Sequence, residues 1–156
     1  MRLPEQEGGG SPAKTGTPSA NSHTCFAQLK SRPVNDPRAQ KALAVHTFWW
    51  VQGTNGQRII SGGPSGPSGA NQHLNVWVNP NLFQGPDTPN AHLVFIAGPS
   101  SSVCAQVDSM ISGGNSFPNG TFVYDPIWGP NSNTAARYFG GVGGFNPTNS
   151  LRFREV

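Results

Sequence analysis

Apolar positions cluster in short runs, and the first strong run is "ALAVHTFWWVQGT" at residues 42–54. β-branched and aromatic residues dominate it, and the pair Asn55-Gly56 and then "QRIISGG" follow. An Asn-Gly pair between two such runs is typical of a tight turn. We therefore predict a β-hairpin with Asn55-Gly56 as its turn, in which Trp50 pairs with Ser61.

Side chains alternate between the two faces of a strand, and this gives the hairpin two apolar faces. One face takes His46, Phe48, Trp50 and Ile59, and the opposite face takes Val45, Thr47, Trp49, Val51 and Ile60. Because both faces are apolar, we expect the hairpin to lie at the centre of a sheet that is covered on each side. His46 is then largely buried.

The rest of the pattern predicts three further strands and two helices. The strands cover residues 73–79, 91–98 and 120–128, and the helices cover residues 100–114 and the segment from Ser132 to Gly140-Gly141. A polar residue opens each helix and a Gly-Gly pair closes it. Strands and helices do not alternate regularly, so the predicted fold class is α+β, with a central antiparallel sheet and two main helices.

The 156 residues suffice for one domain with its own core. Residues 1–24 are small, polar and proline-rich, which indicates a disordered linker or arm. We expect a single α+β domain over residues 25–150 and a tail over 151–156. The two cysteines, Cys25 and Cys104, form either one disulfide or two buried thiols.

The net charge of +3 does not point to nucleic acid, because of where the charges lie. Residues 25–41 hold four cations and one anion, whereas residues 42–150 hold two cations and three anions. No apolar run is long enough to span a membrane, and no signal peptide is visible. The histidines and cysteines lack metal-ligand spacing, so we expect no metal and no cofactor.

Ser132 stands where the second helix opens, in "GPNSNTAARYFGG". A serine there either caps the helix or acts as a nucleophile whose oxyanion product is held by backbone amides. The local pattern alone favours capping.

A strand histidine, followed 86 residues later by Asn131-Ser132-Asn133, resembles the circularly permuted papain-like superfamily, the group of lecithin:retinol acyltransferase-like enzymes and bacterial amidases. Residues 25–150 are also similar to uncharacterised bacterial domains at the ends of Rhs-type toxins. The resemblance implies that His46 is the general base and that Ser132 occupies the nucleophile position, where the family has cysteine. It implies an amide or ester substrate.

That substrate would be a small molecule, a peptide or cell-wall material, and the domain would be a secreted toxin or effector delivered outside the cell, with an immunity protein as a possible partner. In this hypothesis Asn131, Asn133 and Thr134 support the site, and the amides of Asn133 or Thr134 hold the oxyanion. His73 is the expected third catalytic group, with Asp125 and Asn131 as weaker candidates. Serine in place of cysteine leaves two outcomes, a Ser–His hydrolase or an inactive relative that binds.

The alternative function is a catalytically inactive glycan- or peptidoglycan-binding module. Four tryptophans and many asparagines with few charges could form a platform that stacks on sugars and hydrogen bonds to them. Trp49 and Trp50 point to opposite faces, so at most one of them joins it. We expect Trp50 and Trp77 to be the binding residues, although core packing is the ordinary role of such rings.

Overall fold

The computed structural model describes residues 23–34, 44–66 and 71–147. Five strands form one antiparallel sheet in the order β4-β3-β2-β1-β5. They are β1 (Cys25–Pro33), β2 (Val45–Gly53), β3 (Gly56–Pro64), β4 (Leu74–Asn79) and β5 (His92–Ser100). A 3₁₀ turn (Ser101–Val103) leads into helix α1 (Cys104–Asn115), and helix α2 is Ser132–Val142.

These elements confirm the α+β class, the central antiparallel sheet and the two main helices. The permuted papain-like topology stays a prediction. The predicted tail and all but the last two residues of the predicted arm lie outside the described residues. Neither helix is long and apolar enough to cross a membrane, as judged over the three described ranges.

Strands β2 and β3 form the predicted hairpin, but the predicted register is wrong by two residues. Trp50 pairs with Ile59 instead of Ser61, and Gly53 pairs with Gly56. A shift of two leaves every side chain on its predicted face, because the side-chain period of a strand is two. His46 therefore shares its face with Ser61 in either register.

The turn residues are Thr54 and Asn55, one position earlier than predicted. Gly56 follows them with a φ of +107°, so the glycine supplies the positive φ after the turn and not within it. Asp108 of α1 accepts hydrogen bonds from the backbone N–H of Thr54 at 2.9 Å and from its hydroxyl at 2.8 Å. This contact from α1 fixes where the chain turns.

Strand β1 was not predicted, because Lys30 and Arg32 interrupt its apolar residues and charged residues are depleted in strands. In the sheet it lies between β2 and β5, and Leu29 on its helix-facing side is fully buried. Lys30 on the opposite side places its Nζ 5.5 Å from the centre of the Trp50 ring. Burial lowers the pKa of Lys30. Pairing with two neighbours thus gives β1 a burial that its own pattern does not show.

The strand predicted over residues 120–128 does not form, and Val123 makes only an isolated bridge to His73. Asp125 explains the difference. Its carboxylate accepts hydrogen bonds from the backbone N–H groups of Ile127 at 2.8 Å and Trp128 at 2.9 Å, which folds the chain into a turn.

The two faces of the sheet are covered in different ways. Both helices pack on the face that carries Trp49 and Ile60, and the main core lies there. Strands β4 and β5 are opposite edges of the sheet, so the connection between them, residues 80–91, has to cross the other strands. It does so on the face that carries His46, where Phe48 is also fully buried. The hairpin is therefore central and covered on both sides, as predicted.

A disulfide joins Cys25 at the start of β1 to Cys104 at the start of α1. The sequence left this pairing open. The two cysteines are 79 residues apart, and closing a loop of that length in the unfolded chain corresponds to about 4 kcal/mol of stabilisation.

Candidate functional site

The candidate site lies where β2 and β3 separate. Their pairing ends at Trp49 and Ile60, although β2 begins four residues earlier and β3 continues for four residues more. Over that stretch β3 still pairs with β4, and β2 still pairs with β1. A cleft therefore opens between the two central strands of the sheet.

Asn133 in the first turn of α2 occupies part of the position that β3 leaves. Its Oδ1 accepts hydrogen bonds from the backbone N–H of Thr47 at 3.1 Å and from the Thr47 hydroxyl at 2.8 Å. Its Nδ2 donates to the carbonyl of Val45 at 3.1 Å. The side-chain amide thus pairs with the backbone of β2 as a neighbouring strand would, and it satisfies groups that would be costly to leave unpaired.

Gly62 lets α2 approach β3 on the other side of the cleft. A Cβ at this position would lie 2.6 Å from the Cβ of Ala135 and 3.7 Å from the Cα of Ser132. The first distance is too short for two carbon atoms, so only glycine allows the helix to sit at this depth.

Asn131, and not Ser132, caps α2. The Oδ1 of Asn131 accepts hydrogen bonds from the backbone N–H groups of Asn133 at 3.1 Å and Thr134 at 3.2 Å. In return the Thr134 hydroxyl accepts one from the Asn131 N–H at 3.2 Å, which completes a capping box. The two amides expected to hold an oxyanion are therefore occupied by the cap.

Ser132 is the first residue of α2 and is 6% exposed. Its hydroxyl makes no hydrogen bond to any described residue. It lies beside the cleft as an uncommitted polar group at the positive end of a helix.

His46 belongs to a polar cluster of four residues, Arg32, His46, Ser61 and Asp87, which we name the Asp87 cluster. The Nε2 atom of His46 lies 2.9 Å from Oδ2 of Asp87 and 3.2 Å from Oγ of Ser61. The Ser61 hydroxyl also hydrogen bonds to Oδ2 of Asp87. The Nε of Arg32 donates to Oδ1, the other carboxylate oxygen of Asp87, at 2.5 Å. Asp87 thus ties the 80–91 connection to three neighbouring strands.

Burial alone would raise the pKa of Asp87. The hydrogen bond and the charge of His46, together with the hydrogen bonds from Ser61 and Arg32, outweigh it and lower the pKa from 3.8 to about 2. The carboxylate is therefore ionised at neutral pH and is a weak base.

Ser61 and Asp87 also contact the same ring nitrogen of His46, whereas a nucleophile–histidine–acid relay uses the two different nitrogens. The cluster is built to hold the connection in place.

A cavity of about 1010 Å³ lies between the Asp87 cluster and the first turn of α2. Among the described residues that line it, Arg32 and Asp87 carry the formal charges, and they pair with each other. The rest of the wall consists of amide, hydroxyl, aromatic and aliphatic side chains, the imidazole of His46, prolines and glycines. No group of three or more His, Cys, Asp or Glu side chains within the described ranges could hold a metal ion.

The structure distributes the predicted site residues over several places. Those that line the cavity are His46, Trp77, Asn131, Ser132 and Asn133. No hydrogen bond joins Ser132 to His46. His73 lies outside the cavity, at the bridge to Val123. Trp50 also lies outside it, and its Nε1 donates to Gln57 at 3.2 Å. Thr134 serves in the capping box.

Sequence reasoning missed Ser61, Asp87 and Tyr124, which also line the cavity. Strand alternation already placed Ser61 on the face of His46. Asp87 and Arg58 are the charged residues between positions 42 and 107, so a lone acid in a neutral stretch was the signal that Asp87 offered. Tyr124 was missed because it falls within the strand that was wrongly predicted over residues 120–128.

No family model matches the chain, and neither a curated protein nor a solved structure shows significant similarity to it. The resemblance to the permuted papain-like superfamily therefore stays a prediction, and the chemistry of the cavity is the basis for a function.

Proposed function

We propose that the cavity binds a neutral glycan and that the protein is a carbohydrate-binding module. The observation that carries the proposal is a division among the polar groups of the wall. The Asp87 cluster, Asn131 and Asn133 are committed to hydrogen bonds that build the cleft. Four other groups have no hydrogen-bond partner among the described residues: the indole N–H of Trp77, the hydroxyls of Tyr124 and Ser132, and the side-chain amide of Gln84.

Trp77 supplies an aromatic face for a sugar ring. Its side chain stands on β4 with 46% of the residue exposed. On the neighbouring strand Gly63 leaves the ring room, since a Cβ there would lie 3.1 Å from its Cζ3 atom. A half-exposed indole offers apolar contact to a sugar ring, and its N–H can donate to a hydroxyl.

The charge of the wall favours a neutral ligand. Arg32 and Asp87 neutralise each other, so a charged ligand would find no unpaired counter-charge on the described wall. Burial, and secondarily the charge of Asp125, raises the pKa of Tyr124. Its hydroxyl therefore stays protonated and can donate a hydrogen bond at neutral pH.

The size of the cavity suits more than one sugar ring. Small-molecule sites occupy about 300–1,000 Å³, and this cavity of about 1010 Å³ lies at the upper end of that range.

The test is an NMR titration of ¹⁵N-labelled protein with chitotetraose, cellotetraose and maltotetraose, which are neutral sugars of three linkage types. With one of them we expect the indole N–H signal of Trp77 to shift. The indole N–H signal of Trp49 should not shift, because Trp49 is fully buried and its indole N–H donates to the carbonyl of Ala136 at 2.8 Å. Trp77→Ala should abolish binding. Tyr138→Ala is the matched control, since Tyr138 is 54% exposed outside the cavity. Binding that survives Trp77→Ala contradicts the proposal.

A second candidate is the Ser–His hydrolase, acting on an amide or ester as a toxin or effector outside the cell. It is favoured by the uncommitted Ser132 hydroxyl in a cavity that His46 also lines. The disulfide supports action in an oxidising compartment. Against it, Asp87 and Ser61 occupy the contacting nitrogen of His46, and the cap occupies the amides of Asn133 and Thr134.

A serine-directed fluorophosphonate separates the two candidates. A binding module should remain unlabelled. Labelling that disappears in Ser132→Ala and persists in Ser61→Ala would instead assign Ser132 as the nucleophile and replace the binding proposal.

A further inference from the structure

Two of the most exposed aromatic residues lie close in sequence to residues that line the cavity on different walls. Phe83 is 71% exposed and lies in the 80–91 connection, directly before the cavity residue Gln84. Trp128 is 77% exposed and follows the cavity residue Pro126 by two positions. One wall crosses the face of the sheet opposite the helices, and the other leads into α2.

Both segments are held by carboxylates. Asp87, four residues after Phe83, joins the first segment to the sheet. Asp125 holds the second segment through the backbone N–H groups of Trp128 and Ile127, and these hydrogen bonds lower the pKa of Asp125. Phe83 thus lies four residues from an anchored position, and Trp128 is anchored through its own backbone N–H.

We propose that Phe83 and Trp128 are outer sugar-stacking positions and that Trp77 is the inner one. The ligand is then a neutral, unbranched oligosaccharide that extends out of the cavity at both ends. This inference rests on the proposed function and names its ligand class. Aromatic rings at separate points around a neutral, amide-lined cavity fit a chain of sugar rings better than a protein partner, which would need one contiguous patch.

The experiment measures affinity against chain length, by calorimetry with the di-, tetra- and hexasaccharide of whichever series binds. For the wild type we expect the hexasaccharide to bind at least about tenfold more tightly than the disaccharide. Phe83→Ala and Trp128→Ala should each weaken hexasaccharide binding by about three- to tenfold, the value of one aromatic contact. Disaccharide binding should not change. Trp77→Ala should abolish binding of both the disaccharide and the hexasaccharide. Tyr138→Ala should change the binding of neither.

Two results overturn the inference and leave the proposed function intact: affinity that does not depend on length, or hexasaccharide binding that survives both outer substitutions. If no oligosaccharide binds, both proposals fall. Sedimentation of the same samples adds a further outcome. Self-association that Trp128→Ala removes, without any effect on sugar binding, would make the outer aromatic residues a protein contact.

Discussion

Asp87→Asn removes the negative charge on which the Asp87 cluster is built. In the folded protein the pKa of Asp87 is about 2, against an ordinary value of 3.8. At 1.36 kcal/mol per pKa unit, the difference corresponds to about 2 kcal/mol of stability at neutral pH. The side chain is 14% exposed, so solvent screens little of this contribution.

The sign follows from the direction of the shift. A folded-state pKa below the unfolded value means that the unfolded chain binds the proton more readily. The stabilisation is therefore complete above about pH 5, and it is lost as the pH falls through 3.8 towards 2. Wild type should weaken over this window more steeply than Asp87→Asn.

Urea denaturation followed by tryptophan fluorescence, at pH 7 and at steps down to pH 2, measures both effects. We expect Asp87→Asn to be less stable by about 2 kcal/mol at pH 7 and the gap to narrow towards pH 2. Asp125→Asn is the control, because an asparagine oxygen can still accept from the backbone N–H groups of Ile127 and Trp128, so this change should alter stability much less. Two results would refute the reasoning. One is an Asp87→Asn protein as stable as wild type at pH 7, and the other is a difference in the free energy of unfolding between the two proteins that does not change with pH.

Three further outcomes follow from the cleft and the disulfide. Asn133→Ala should lower the free energy of unfolding by about 1–3 kcal/mol, and Asn133→Asp, which keeps the acceptor but loses the donor, should lower it less; an Asn133→Ala protein as stable as wild type would mean that the amide contact to β2 does not matter. Gly62→Ala should lower the melting temperature because its Cβ would overlap α2, while Gly141→Ala, which meets nothing within 4 Å, should not; a silent Gly62→Ala would contradict the packing. Reducing the Cys25–Cys104 bond should destabilise the protein by about 4 kcal/mol in urea titrations, and an unchanged midpoint would indicate that the bond is absent in solution.

Local pattern predicted the elements whose residues carry their own signal. Strand β2 is rich in β-branched and aromatic residues, and α2 has a polar start and a glycine end, so β2 appears within three residues and α2 within one residue of the predicted bounds. Strand β1 carries Lys30 and Arg32, and its burial comes from neighbours that are distant in sequence. The turn lies one residue earlier than predicted because Asp108, which is 54 residues from Thr54, helps to determine its position.

The site was harder to predict than the fold, for the same reason. Alternation along β2 and β3 placed His46 and Ser61 on one face. The partner of both is Asp87, which reaches them because the 80–91 connection crosses the sheet, and no local pattern records that crossing. The roles within Asn131-Ser132-Asn133 also depend on distance: Asn133 contacts β2, and Asn131 then takes the cap.

The most direct test of the central claim is a search for intermolecular nuclear Overhauser effects between the protein and the bound tetrasaccharide. We predict contacts from the ring protons of Trp77 to sugar ring protons, and from the ring of Tyr124 at the same site. Contacts confined to residues outside the cavity, such as Tyr138, or binding that gives no contact to Trp77, would contradict the account.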